Sequence, residues 1–286
     1  MTTATLQITE PGVYDIPHDV YLADPVPDGS LSCSGAKLLL PPNCPALFAW
    51  RRENPQEHKD EFDFGHAAHK MVLGTGPELA VIDAKDWKTK AAQDQRDAAR
   101  LEGKVPLLRA DYERVVAMAA VVAAHPIASA LFNPNNGKPE ASLFWYDDRH
   151  PVTRRGRLDW LPETDGGRLI IPDYKTARSA QPGEFAKSAA NYGYHQQDAW
   201  YRDAVQALGI AEDVGFVFVV QEKTAPYLVT VVELDITAAQ IGQHLNRQAI
   251  DVYAECTSTG RWPGYSDDVE LISLPAWYER NHEESQ

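Results

Sequence analysis

Asp159, in Gly156-Arg-Leu-Asp-Trp160, and Asp173 and Lys175, in Pro172-Asp-Tyr-Lys175, are the residues whose types and spacing could do chemistry. Side chains alternate along a strand, so Asp173 and Lys175 would share one face and Tyr174 the other. On adjacent antiparallel strands, Asp159 would stand within a few ångströms of Asp173. Two carboxylates that close repel each other unless a cation lies between them, and hard divalent ions such as Mg2+ or Mn2+ prefer oxygen ligands. A lysine two residues beyond a metal-binding Asp can hold the attacking water and neutralise charge building on a phosphoryl oxygen. Gln197 and Tyr201, four apart and close to Trp200, would share a helix face, and both an amide and a phenol can meet a phosphate.

The triplet Asp/Glu-x-Lys says little by itself, since it begins at Glu57, Asp83, Asp86, Glu102 and Asp173. A surface ion pair at a strand end would leave the same pattern. Only the last follows an apolar strand, Leu169-Ile-Ile171, with an acid-bearing strand before it and a long helix after it. The elements that must position these residues start where the period changes, at Glu140. Residues 141–146, 153–161 and 168–174 read as three strands, separated by Asp147-Asp148 and Asp165-Gly-Gly167. A helix over 182–208, stopped at Gly209, follows. Phe216-Val-Phe-Val-Val220 suits a strand buried on both faces, residues 227–234 a further strand, and residues 237–256 a closing helix. Before Glu140, helices are expected at about 35–52 (interrupted at Pro41-Pro42), 64–73, 86–102 and 110–132, the last kinked at Pro126.

The 286 residues are 44% hydrophobic and 24% charged, an ordinary globular composition. No apolar run approaches the roughly 20 residues of a membrane-spanning helix, so no membrane partner is expected. The opening Met1-Thr-Thr-Ala-Thr-Leu6 lacks the basic and apolar regions of a secretory signal. Cys33, Cys44 and Cys256 are too few and too scattered for a disulfide framework, and a cytoplasmic location is the expectation. A net charge of −14 argues at first against nucleic acid. The acids, however, concentrate at the ends. Residues 1–30 hold five acids and no Lys or Arg, and 251–286 hold eight against Arg261 and Arg280, which leaves −3 for 31–250. Within that middle, Arg149-His-Pro-Val-Thr-Arg-Arg-Gly-Arg157 carries four arginines and no acid. Residues 1–30, with four prolines, read as an irregular acidic arm, 31–260 as the domain, and 261–286 as an acidic tail.

Asp159, Asp173-Tyr-Lys175 and Gln197-x-x-x-Tyr201 together resemble the PD-(D/E)XK nuclease superfamily, in particular its RecE-like (exodeoxyribonuclease VIII C-terminal) branch of phage and prophage exonucleases. Ser32-Cys-Ser34 with Leu38-Leu-Leu-Pro41, Gly65-x-x-x-His69, Trp87-Lys-Thr-Lys90 and Gly103-Lys-Val-Pro-Leu-Leu108 are similar to the N-terminal half of that branch. The resemblance spans about residues 20–260. It implies an α/β fold with an αβββαβ core, a mixed central sheet flanked by helices. It further implies Mg2+- or Mn2+-dependent hydrolysis of DNA with two ions. His69, Asp159, Asp173 and the Tyr174 backbone carbonyl would hold metal, Lys175 would orient the water, and Gln197 and Tyr201 would line the site. Glu140 would help organise the metal or substrate end, or would salt-bridge an arginine. His66, three residues from His69, competes with it for the same cleft. Related nucleases that hold an iron–sulfur cluster use four cysteines, so no cluster is expected here.

Arg154, Arg155 and Arg157 are candidate DNA contacts. Arg157 shares a strand face with Asp159 and could meet a phosphate or pair with the acid. Lys88, Lys90, Arg96 and Arg100 form a second basic candidate, diluted by Asp86, Asp94 and Asp97, and Trp87 could stack on a base. The resemblance implies an exonuclease on linear double-stranded DNA, working 5′→3′ to leave 3′ single strands for recombination. It also implies a homo-oligomeric ring and a phage single-strand annealing partner. The alternatives are an endonucleolytic or single-strand end-processing enzyme of the same core, or a DNA-binding module without catalysis.

Overall fold

The computed structural model describes residues 6–54 and 60–283. Glu57 lies outside them. The chain begins with β1 (Gly12–Tyr14), α1 (His18–Leu22) and β2 (Leu31–Ser32). Two short helices, α2 (Cys33–Leu39) and α3 (Pro45–Glu53), replace one, because Pro41-Pro42 cannot continue a helix. Ser32 starts α2 by accepting the Gly35 N–H at 3.1 Å, and Pro45 sits at the first turn of α3. After α4 (Asp60–Leu73) come β3 (Leu79–Ile82), α5 (Lys90–Leu101) and β4 (Val105–Leu108). β3 and β4 form a small parallel pair, Leu79 opposite Val105 and Ile82 opposite Leu108. Strands of four residues are too short to show a period in sequence. The expected 110–132 helix is α6 (Arg109–Ala124) and α7 (Pro126–Leu131), divided at Pro126.

The central part is β5 (Gly137–Tyr146), β6 (Thr153–Pro162) and β7 (Leu169–Ala177), then α8 (Pro182–Tyr192), α9 (Tyr194–Ala207), β8 (Val214–Glu222), β9 (Val229–Glu233) and α10 (Ile236–Thr259), with α11 (Ala276–Glu283) beyond. One ladder runs β1-β5-β6-β2 and the other β7-β8-β9. β5 and β6 are antiparallel and β7 and β8 parallel, so the sheet is mixed. β6 and β7 lie side by side without a backbone ladder among the described residues. Instead the Asp159 carboxylate accepts the Tyr174 N–H at 2.7 Å, so a functional side chain takes the place of a ladder bond. Helices α2, α8, α9 and α10 pack over one face of β7–β8 around Phe216, Phe218, Phe185 and Trp200. Helices α4, α6 and α7 cover the other around Tyr174, Val219 and Trp160. β8 is buried on both faces, as its apolar run implied.

Two expectations need correction. The 182–208 helix is broken at Gly193, which adopts φ +64 between α8 and α9. The N-terminal segment is not a loose arm. β1 pairs antiparallel with β5, Gly12 opposite Phe144, and Ile8 and Ile16 are buried against Phe144 with Tyr14, Val20 and Tyr21 around them. Its prolines interrupt any period, but its apolar residues still find a sheet edge to cover. Residues 264–280 are exposed, and α11 forms within this acidic tail. The three cysteines are buried and unpaired. Among the described residues no helix is long and apolar enough to cross a membrane.

Candidate functional site

β6 with Asp159 and α4 with His69 line one cleft, and β7 sets Asp173 and Lys175 within electrostatic reach behind them. His69 Nδ1 lies 3.7 Å from Asp159 Oδ2. Its ring packs edge-on to Tyr174, 5.1 Å between centroids. Lys175 Nζ lies 2.5 Å from Asp173 Oδ2, and Gln197, from α9, donates to Asp173 Oδ1 at 2.7 Å. Alternation works as expected: Asp173 and Lys175 face α9, while the Tyr174 ring turns into the other core layer and its hydroxyl donates to Gln221 at 2.6 Å.

Burial dominates the electrostatics. It raises Asp159 to about 6 against the opposing charge of Lys175. It raises Asp173 to about 6 as well, with Lys175 opposing and Asp159 reinforcing. Burial pushes His69 down to about 4, and Lys175 adds to that fall. For Lys175, burial works against the charge, but Asp173 and Asp159 outweigh it and the ammonium is held above its usual range. At neutral pH the imidazole is therefore an uncharged donor, and the carboxylates are ionised against an opposing environment.

These donors fit a divalent cation in kind: two buried carboxylates that share one ammonium, a neutral imidazole and the Tyr174 carbonyl. Asp173 Oδ2 is buried and has no aligned hydrogen bond, although Lys175 lies beside it. Among the described residues no three His, Cys, Asp or Glu side chains form a ready ligand cluster.

Glu140 and Arg157 line the same cleft, bonded to each other at 2.6 Å. Glu140 sits at φ +48, a strained conformation for a residue with a side chain. Arg157 also donates to Ser142 Oγ and to the Ile16 carbonyl, both at 3.0 Å; its acid partner is Glu140 rather than Asp159, which is the arginine salt bridge expected as the alternative for Glu140. Tyr201 borders the cleft, where Gly156 lets its ring approach so closely that a Cβ would come within 2.7 Å.

Arg154 and Arg155 do not reach this cleft. Alternation puts Arg154 on the opposite face of β6, buried, ion-paired to Asp203 and stacked over Trp145. Arg155 pairs with Asp24 and donates to Ser30 Oγ at 2.7 Å, fastening the N-terminal segment. His66 lines the cleft wall, 6.4 Å ring to ring from His18, while His69 is the histidine beside Asp159. On α5, Arg100 reaches the cleft and bonds Asp63 at 2.7 Å, whereas Lys90 pairs with Asp94 and Arg96 with Asp97. His18 and Tyr21 of α1 and Lys37 and Tyr194 are site neighbours that sequence reasoning missed. The one available signal for Tyr194 was the isolated Gly193 in a helical pattern, which marks a break as readily as a tolerated glycine.

Residues 32–275 match the family described as PDDEXK-like domain of unknown function (DUF3799). The chain belongs to that family. Nucleases of the PD-(D/E)XK class generally use divalent metal ions. The fold agrees with this PDDEXK-like assignment. A crystal structure of a protein from Eubacterium rectale, to which exonuclease activity has been ascribed, superposes with a TM-score of 0.59 at 11% identity, covering 93% of this chain and 98% of that one. The structure of SSO0001 aligns over 67% of this chain and 85% of that one, at 17% identity and a TM-score of 0.28, too low to bear on the fold. No curated protein matches this PDDEXK-like chain by sequence.

Proposed function

We propose that the protein is a metal-dependent deoxyribonuclease that hydrolyses phosphodiester bonds from the ends of linear double-stranded DNA. The observation that carries this reading is that His69 and Asp159 line one cleft, with the buried Asp173–Lys175 pair close enough behind them to interact electrostatically with both. Asp159, Asp173, His69 and the Tyr174 carbonyl would hold Mg2+ or Mn2+, two ions in all. When bound, such ions polarise the phosphoryl group and lower the pKa of water. The chain's own residues supply the rest. The Tyr174 N–H fixes Asp159, and Gln197 fixes one oxygen of Asp173 while the other remains free of aligned hydrogen bonds. Lys175 orients the attacking water and offsets charge on the phosphoryl oxygens. Arg157 and Glu140 brace the cleft wall on the side of the N-terminal segment.

Attack from an end, rather than within a strand, is supported by the resemblance to RecE-like exonucleases and by the activity ascribed to the Eubacterium rectale protein. The same resemblance supports 5′→3′ polarity, a role in recombination, a ring of identical subunits and a single-strand annealing partner. An acidic exterior is compatible with a ring whose positive charge is confined to the channel. The test is a digest of linear duplex labelled at one end, beside a covalently closed circle, with Mg2+, Mn2+ or chelator. Nucleotides released from the linear molecule alone, and only with metal, are expected. Cleavage of the circle would convert the reading to an endonuclease. DNA binding with no release under any divalent ion would leave a binding module.

A further inference from the structure

The break at Gly193 brings two lysines onto one aromatic ring beside Asp173. Gly193 adopts φ +64, and a Cβ there would meet the Lys37 stem at 3.2 and 3.3 Å. Lys37, from α2, crosses this glycine and donates from Nζ to the Tyr192 carbonyl at 2.9 Å. Its Nζ lies 5.9 Å from the centre of the Tyr194 ring, and Lys175 Nζ lies 5.3 Å from the same centre. The ring is itself packed by Phe185 at 5.6 Å and Phe218 at 5.5 Å. Lys175 reaches Asp173 Oδ2 at 2.5 Å, but that oxygen has no aligned hydrogen bond, so the ion pair attracts the ammonium without fixing its direction. An aromatic face attracts cations within about 6 Å of its centroid. Two ammonium groups at one site repel each other, and the ring offers both a compensating surface.

We propose that Tyr194 is a positioning residue for Lys175: its ring, which Lys37 also approaches, holds the Lys175 ammonium at Asp173 in the orientation that hydrolysis needs. This rests on the nuclease reading above, in which Lys175 orients the attacking water. The hydroxyl of Tyr194 has no part in it. Replacing the ring by an aliphatic side chain keeps the packing against Phe185 and Phe218 but leaves Lys175 free to swing away under repulsion from Lys37.

Cleavage of end-labelled linear duplex in Mg2+ is measured for the full chain and its variants. Wild-type release of nucleotides, abolished in Asp173→Ala, secures the nuclease reading separately; no release by the wild type removes that reading and this one together. Given that control, Tyr194→Leu lowers kcat about tenfold, in line with a cation–π contribution, while KM for DNA stays within about twofold. Tyr194→Phe retains wild-type kcat, because the ring face remains. Tyr194→Leu combined with Lys37→Gln regains part of the lost kcat, because the repelling neighbour is gone. If Tyr194→Leu does not fold, Tyr194→Met carries the same comparison, since a flexible thioether fills the space without a ring. The proposal is overturned if Tyr194→Leu turns over like the wild type, if Tyr194→Phe loses as much as Tyr194→Leu, or if Lys37→Gln brings no recovery.

Discussion

Two buried clusters of charge lie on opposite faces of β6, made from the same residue types and finished differently. Behind the strand, Asp147 accepts two hydrogen bonds from Arg247, at 2.9 and 2.8 Å, and the N–H groups of Arg149 and His150. Arg154 joins this cluster through Asp203 and Asp147. Burial works to raise the Asp147 carboxyl, yet the Arg247 and backbone hydrogen bonds outweigh it and hold the group below its usual range. In the cleft, Asp159 and Asp173 share Lys175 as their nearest cation, and burial prevails, raising both to about 6. A cluster finished with hydrogen bonds stabilises the fold. One left short of positive charge is equipped to take a cation, at a cost to the stability of the metal-free protein.

The contrast can be broken most sharply by activity. Asp173→Ala and Lys175→Ala should each lower cleavage by at least about 10²–10³-fold, the scale of losing a group that stabilises transition-state charge, with the thermal melt retained. A variant near wild-type turnover would place the chemistry elsewhere. His69→Ala should raise the metal concentration needed for half-maximal cleavage by roughly 10–100-fold, and His66→Ala by much less. The reverse order in a metal titration would exchange the two assignments. Arg247→Met attacks the other cluster: it leaves the buried Asp147 carboxylate with Arg154 and two backbone N–H groups but without its bidentate partner, and should cost about 2–4 kcal/mol in denaturant unfolding, while turnover per folded molecule is unchanged.

The smallest effect sharpens the comparison through pH. An acid whose folded pKa is raised binds more protons folded than unfolded between about 4 and 6, so stability falls as pH rises through that window. Asp159→Asn removes that loss and can still accept the Tyr174 N–H. In chelator, the variant should be about 1–2 kcal/mol more stable than wild type at pH 8 and no more stable at pH 4. Asp147 behaves oppositely: its folded pKa is depressed, so its contribution is present above the unfolded value and is lost as pH falls through the folded one. A wild-type and Asp159→Asn pair with parallel stability curves from pH 4 to 8 would show that the cleft carboxylates are already compensated.

Much of the site could be read from the chain because its signals are local. Asp159, Asp173 and Lys175 stand on consecutive strands whose period and turns are written in about forty residues, and Gln197 follows on α9. His69 was singled out only by the resemblance, through Gly65-x-x-x-His69, and it does lie beside Asp159. Arg154 and Arg155 were misplaced for the opposite reason. The stretch 149–157 contains no acid, yet Asp203 and Asp24 reach them from other elements. Likewise Lys37 meets Tyr192 across 155 residues, and no local pattern announces that contact.

By itself the sequence determined that β5 to β9 form, which of their faces each side chain takes, and hence that Asp173 and Lys175 point the same way. Those outcomes depend on backbone period and on turn residues a few positions away. Tertiary structure alone decided which charges are neutralised and which are left wanting. A charge inside a protein is balanced by whatever packs against it, and in this fold those partners come from the N-terminal segment, α2, α9 and α10.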